Sequence, residues 1–425
     1  MQPDVVQILS DLVRIPSVNP MGRPLSPPPK GKAAGAEGAA DIYFEHRVTK
    51  HLEQLFQGLG LPTERHAVAP LRENIVTRLD GDIPPEKGGP VLMFEAHQDT
   101  VPVEGMTIEP FTPNVNDGRL FGRGSCDIKG GMAAMIAALA RLAKEKPKGR
   151  PTVIMACTIN EEHGFTGATH WAATYSGKMP DSGHGPEKLA KPGKTKLLPR
   201  KPDATIVAEP TLLNVVVAHK GAARWRCHTT GVATHSSQPH LGENAIYHMA
   251  RVLQVLEQYA REVVPNLNSH PLCGHPTLSV GLISGGISVN TVPDRATIEI
   301  DRRVLPGEDP QAAFQHCLDF INSHVTAGTP ILHDVPFMLT RGLADDGNGG
   351  LAERLGGVIR SHGGSGDALG VPYGTDAPHF AATGCPTVVF GPGDIAQAHT
   401  CDEWVEIAQL RSAADILYDF AKSGW

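Results

Sequence analysis

The stretch VLMFEAHQDT, residues 91–100, begins as an apolar strand and then sets a histidine and an aspartate two residues apart. Side chains of an extended chain alternate faces, so His97 and Asp99 point the same way. A carboxylate so placed can hydrogen-bond an imidazole whose other nitrogen binds a metal. A strand leaving the core also acquires polar residues, so the pair alone decides nothing. Four further stretches bring comparable groups. GRGSCDIKGG places Asp127 just before a helix expected from about Lys129, where unsatisfied N–H groups favour an ionised carboxylate, either as a ligand or as a plain cap. TVIMACTINEEHG is a strand ending in Glu161 and Glu162, whose side chains diverge. One can bind a metal while the other faces a substrate as general base; a solvated turn is the plainer alternative. ATIVAEPT ends a strand in Glu209, and GPGDIAQAHTCDEWV puts His399 on a loop before the last helix.

Polar groups gathered at the carboxyl ends of strands are what a ligand site in an α/β sheet requires. Two histidines with three carboxylates suit zinc, with cobalt or manganese as substitutes. Charge favours two ions, because three carboxylates and a bridging hydroxide balance two divalent cations.

The scaffold can be sketched from periodicity. Val5, Ile8, Leu9, Leu12 and Val13 predict a helix ended by Pro16, and Val48, Leu52, Leu55, Phe56 and Leu59 a second ended by Gly60. Strands follow at 74–79, 91–96 and 152–158, with a helix carrying Met132, Met135, Ile136, Leu139 and Leu142 before the last of them. That alternation predicts an α/β sheet flanked by helices. From 215 the pattern becomes strand (215–228), helix (Ala245 to Leu256), strands (277–283 and 296–304), helix (Phe314 to Ile321) and strand (330–335), the split βαβ order of a small sandwich. The expected division is a first catalytic part over 1–214, an insertion over 215–329 and a second catalytic part over 330–425. The Pro-, Gly- and Ala-rich stretch at 17–40 reads as loop. Residues 178–202, with six lysines, five prolines and no aromatic, read as a surface excursion.

At 425 residues the chain exceeds the usual single-core limit. Its net charge of -7 offers no basic surface for nucleic acid or an anionic membrane, which favours a small-molecule or peptide partner. No apolar run reaches membrane-spanning length and the N-terminus lacks signal-peptide architecture, so a cytoplasmic location is expected. Seven scattered cysteines without a C-x-x-C pair read as free thiols.

The stretches RIPSVNP, EAHQDTVP, GRGSCDIKGG, INEEHG, VAEPT, HKG, THSSQPHLGENA, NTVPDRATIEIDRRV, YGTDAPHF and AHTCDEWV, in this order, resemble the M20 metallopeptidase family. That family includes acetylornithine deacetylase, succinyl-diaminopimelate desuccinylase, aminoacylase-1 and carboxypeptidase G2. The resemblance implies an α/β catalytic domain holding two zinc ions, with an inserted ferredoxin-like lid domain that mediates homodimerisation. It implies that His97 and Glu209 hold one ion, Glu162 and His399 the other, and that Asp127 bridges them. Asp99 would orient His97, and Glu161 would be the general base. His235 would stabilise the oxyanion in the partner subunit's site, although Ser236 or Ser237 could equally mark a helix cap with His235 as loop. Asn290 and Arg303 match residues that grip substrate, and Gly374 would let backbone approach the ligand. Arg341 is a further candidate carboxylate anchor. The implied reaction is removal of the acyl group from an N-acyl amino acid. Glu at 209 resembles the deacylases and glutamate carboxypeptidases more than the aminopeptidases. A carboxypeptidase or dipeptidase is the alternative within the family, and a catalytically inactive metal-binding protein the alternative outside it. A metallophosphoesterase is disfavoured by the adjacent glutamates and the lack of a Gly-Asn-His strand end.

Overall fold

The computed structural model describes residues 4–23, 42–178, 183–184, 189–422 and 425. Most of the expected 17–40 loop and part of the 178–202 excursion therefore lie outside the described residues.

An eight-stranded mixed sheet runs in the spatial order Thr63–Ala69, Arg72–Leu79, Thr152–Thr158, Val91–His97, Ala204–Val207, Thr387–Val389, Val215–His219, Ala368–Val371. Its four central strands, Thr152–Thr158 to Thr387–Val389, are mutually parallel. Every residue of Val91–His97 and Thr152–Thr158 is buried, as expected for strands covered on both faces. On one face the helix Lys129–Glu145 packs against Val5–Val13 and Ile407–Lys422. On the other, the helices Thr166–Ser176 and Ala377–Ala381 contribute Trp171 and Phe380 to a second core.

A smaller antiparallel sheet pairs Thr277–Gly285, Arg295–Val304, Gly221–Thr230 and Ile331–His333 in that order. With the helices Ala245–Gln258 and Pro310–His324 this is the split βαβ arrangement the pattern predicts. Trp225, Ile298 and Ile300 face Met249, Leu256, Phe314 and Ile321 in its core. A three-stranded sheet of Trp404–Glu406, Arg119–Phe121 and Asn114–Asn116 ties the C-terminal segment to the chain before Asp127.

The run 215–228 is two strands: Val215–His219 belongs to the large sheet and Gly221–Thr230 opens the small one. A continuous β-favouring sequence hides the change of sheet, which occurs at Gly221, where a Cβ would stand 2.2 Å from the Thr340 carbonyl oxygen. Ile331–His333 and Met338–Thr340 both pair with Gly221–Thr230, so the small sheet draws on chain beyond 329. Within the expected excursion Leu197 and Leu198 are buried in the second core, a packing that the lysine and proline content conceals. The seven cysteines are all free. Among the described residues no helix is long and apolar enough to cross a membrane.

Candidate metal centre

Parallel alignment of the central strands brings their carboxyl ends to one edge. His97 is the last residue of its strand and lies level with Thr158. Glu161 and Glu162 follow Thr158 beyond Asn160, whose left-handed backbone (φ 62°) turns the chain. Glu209 follows Ala204–Val207, and His399 also sits on left-handed backbone (φ 62°) in the loop after Thr387–Val389.

Two overlapping sets result. One ligand atom each from His97, Asp127 and Glu209, and likewise from Asp127, Glu162 and His399, lie within 4.8 Å of one another. Asp127 belongs to both sets. Its Oδ1 is 3.3 Å from His97 Nε2 and its Oδ2 is 3.3 Å from His399 Nε2. Glu162 Oε2 is 3.3 Å from His399 Nε2, and Glu209 Oε1 is 3.9 Å from His97 Nε2. Glu161 belongs to neither set, although its Oε2 is 4.0 Å from His97 Nε2.

The donors fit divalent cations. Among the described residues His97 Nε2 and Glu162 Oε1 are buried without a hydrogen-bond partner, which cations between the ligands would satisfy. Burial drives Glu161 and Glu209 well above the usual carboxylate range, and burial with nearby Asp127 pushes Glu162 up to about 7. Burial also acts to raise Asp127, but His399 and His97 outweigh it and hold that carboxyl low. Asp127 and Glu162 push His399 up to about 11. Four carboxyl groups in one cavity ionise together only when positive charge joins them.

Two further carboxylates hold the ligand-bearing loops. Asp99 Oδ1 accepts the Glu161 N–H (3.1 Å) and Oδ2 the Glu162 N–H (3.2 Å), while Asn19 Nδ2 donates to Oδ2 (2.8 Å). The expectation that Asp99 orients His97 takes a different form here. His97 Nδ1 is 3.0 Å from the Asp99 main-chain carbonyl and 3.6 Å from its carboxylate, so the main chain is the better partner. Fully buried Glu403 does for Asp127 what Asp99 does for the glutamates. Its Oε1 accepts the main-chain N–H groups of Cys126 (2.9 Å) and Asp127 (3.0 Å), and its Oε2 accepts the main-chain N–H of Gly124 (2.9 Å) and pairs with the Arg123 guanidinium (2.7 Å). Glu403→Gln turns one acceptor into a donor facing these N–H groups. It is expected to cost about 2–3 kcal/mol of stability and, by loosening Asp127, roughly 10- to 100-fold in metal affinity. Urea unfolding and calorimetric metal titration measure the two effects.

Asp127, Glu162, Glu209 and His399 open onto a cavity of about 130 Å³ that is also lined by Phe165, Arg224, Arg303, Tyr373 and Gly374. Arg303 and Gly374 thus lie beside the candidate ligands, and a Cβ on Gly374 would stand 3.3 Å from the Lys220 carbonyl oxygen. His235 and Asn290 do not. Both are exposed and adjacent, with the Ser236 N–H donating to the Asn290 carbonyl (3.0 Å). Arg341 lines a separate cavity with Lys178 and Lys201, 3.7 Å from Asp309.

Sequence reasoning missed Arg224 and Tyr373. The alternation in GAARWRCH, which sets Arg224 opposite in face to Trp225, was the available signal for the first. It also missed Glu95 and Asp376, fully buried beneath the site with the Thr158 hydroxyl 2.6 Å from Glu95 Oε1 and 3.0 Å from Asp376 Oδ2. Glu95 shares the strand face of His97, which was legible; its partner 281 positions away was not.

The chain is 30% identical over 391 residues to an acetylornithine deacetylase of Vibrio campbellii (strain ATCC BAA-1116), covering 87% of this chain and 89% of that protein. Its fold resembles that of the di-peptidase Dug1p of Saccharomyces cerevisiae (TM-score 0.72, 13% identity, 99% and 95% of the two chains). It also resembles the YXEP protein of Bacillus subtilis, a dinuclear metal-binding peptidase of the M20 family (TM-score 0.59, 16% identity, 98% and 96%). Residues 93–423 match the sequence pattern of peptidase family M20/M25/M40, and the chain belongs to that family of hydrolases acting on amide bonds.

Proposed function

We propose that the protein is a two-metal amidohydrolase that removes the acyl group from an N-acyl amino acid. The observation that carries this reading is Asp127, whose two carboxylate oxygens each face a different histidine at 3.3 Å. That is the disposition of a bridging ligand. His97 and Glu209 would complete one ion's shell, and Glu162 and His399 the other's. The nitrogen and oxygen donors suit zinc, with cobalt or manganese able to replace it. Bound there, such ions polarise an amide carbonyl and lower the pKa of water.

The remaining chemistry belongs to side chains. Glu161, outside both ligand sets and lining the same cavity, takes a proton from the attacking water and delivers it to the departing nitrogen. Asp99 holds the Glu161 main chain in place for that transfer. Phe165 and Met338 supply apolar wall that limits water.

The small sheet and its helices act as an inserted lid and dimerisation module. Its edge strand Thr277–Gly285 and the following loop expose Leu282, Ile283, Ile287 and Val289, beside exposed Ile246 and Tyr247. An apolar sheet edge of this kind invites pairing with a second copy. His235, absent from its own chain's cavity, would then serve the partner's site. Mixing inactive His235→Ala with inactive Glu161→Ala protein is expected to restore activity, since one of the two sites in a mixed dimer then holds both intact residues. Failure to recover activity despite measured subunit exchange would remove His235 from that role. A cytoplasmic location is part of the same reading.

The substrate class is tested by assaying N-acetylornithine, N-succinyl-diaminopimelate, other N-acyl amino acids and dipeptides side by side. The reading predicts turnover of N-acyl amino acids. Cleavage of dipeptides alone would transfer the protein to the peptidases.

A further inference from the structure

We propose that Arg224 is a specificity-determining residue: together with Arg303 it grips one carboxylate of the substrate, so that a free carboxylate on the N-acyl amino acid is required for tight binding. This deepens the functional reading above and rests on it.

Arg224 and Arg303 lie on adjacent antiparallel strands, where Arg224 pairs in register with Asp301 and Arg303 with Ala222. Strand alternation puts both arginines on the face opposite the apolar core of the small sheet, and both line the cavity that holds the metal ligands. They share one carboxylate: Arg224 Nε is 3.0 Å from Asp301 Oδ2, and Arg303 Nε is 3.0 Å from Asp301 Oδ1. Asp301 thus accepts a hydrogen bond from the inner edge of Arg224 through Oδ2 and sets a counter-charge, without a hydrogen bond, beside Arg303. Among the described residues no acceptor pairs with the terminal Nη groups of either one.

Two positive charges and one negative charge leave this wall with one uncompensated positive charge. The next rung does not supply the missing anion, because Glu299 is already bound by Arg226 (2.8 Å). Glu161 faces Arg303 across the same cavity and offsets part of this charge without forming an ion pair with either guanidinium, and the three candidate ligand carboxylates are balanced once two cations bind. A carboxylate entering the cavity does, and the planar fork of each guanidinium matches it. Gly374 lies beside this wall, where a Cβ would approach Arg303 Nη1 to 4.0 Å.

The test uses metal-loaded Glu161→Gln protein, in which turnover of bound ligand is slowed by at least about 100-fold. Calorimetry compares an N-acetyl amino acid with the same compound carrying a carboxamide in place of the carboxylate. The carboxylate is expected to bind roughly 10- to 100-fold more tightly than the carboxamide, and Arg224→Gln to reduce that ratio to about threefold or less. Arg224→Lys restores part of the preference through its charge. Arg224→Gln combined with Arg303→Gln is expected to be little worse than either alone, because one anion contacts both. An unchanged ratio in Arg224→Gln, or equal weakening of both ligands, would overturn the proposal. If binding discriminates as expected while otherwise unaltered protein hydrolyses neither compound, the carboxylate site stands and the deacylase reading fails.

Discussion

Glu161→Gln is expected to lower kcat by about 10²- to 10⁴-fold while leaving metal content unchanged, the range that removal of a positioned general base produces. The substitution preserves volume and removes only the basic oxygen. Glu161 is outside both candidate ligand sets, so its loss takes no donor from either ion. It is nevertheless almost fully buried and its main-chain N–H is fixed by Asp99, so the carboxylate is held close to where proton transfer has to occur. The effect should fall on kcat with KM nearly constant, because a proton shuttle acts in the transition state and contributes little to ground-state binding. Steady-state kinetics paired with elemental analysis separates the outcomes. Turnover within threefold of the unaltered protein would reject the base assignment, and loss of one metal equivalent would make Glu161 a ligand.

The division of labour between Glu161 and Glu162 shows what a sequence can carry. That both follow an apolar strand was legible, as was the divergence of adjacent side chains. Which of them faces the histidines depends on the turn at Asn160 and on two N–H groups donated to Asp99, contacts made by residues about sixty positions apart. The five candidate ligands could be named from the sequence because each lies next to a recognisable strand or helix boundary, and a parallel sheet sends strand ends to one edge. Glu403 could not, because its work is to accept main-chain N–H groups from a loop near residue 125, and main-chain donors leave no mark in a sequence. The sheet change at Gly221 was hidden for a related reason: propensity reports that a segment is extended and says nothing of which sheet receives it. Arg224 lies between these cases. Its face was predictable from alternation, but its function depends on sharing Asp301 with Arg303, which only the register of two strands reveals.

Asp127→Ala is expected to abolish turnover and to weaken binding of both ions, whereas Glu209→Ala or Glu162→Ala should spare one. The difference follows from connectivity, since Asp127 supplies an oxygen to each set and every other ligand serves a single set. Removing it also withdraws the negative charge between His97 and His399. Charge repulsion between the two cations is then no longer screened by a shared carboxylate, so occupancy of one site should disfavour occupancy of the other. Titrating metal into protein stripped by a chelator, with heat and bound equivalents both recorded, gives the stoichiometry of each variant. The expected result is two equivalents for the unaltered protein, one for Glu209→Ala and Glu162→Ala, and affinity reduced at least roughly 100-fold at both sites for Asp127→Ala, beyond what loss of an outer hydrogen bond produces. Two tightly bound equivalents in Asp127→Ala would mean that the ions do not share this carboxylate, and the bridging role of Asp127 would have to be abandoned. A chelator that leaves turnover of the unaltered protein untouched would overturn the metal-dependent reading itself.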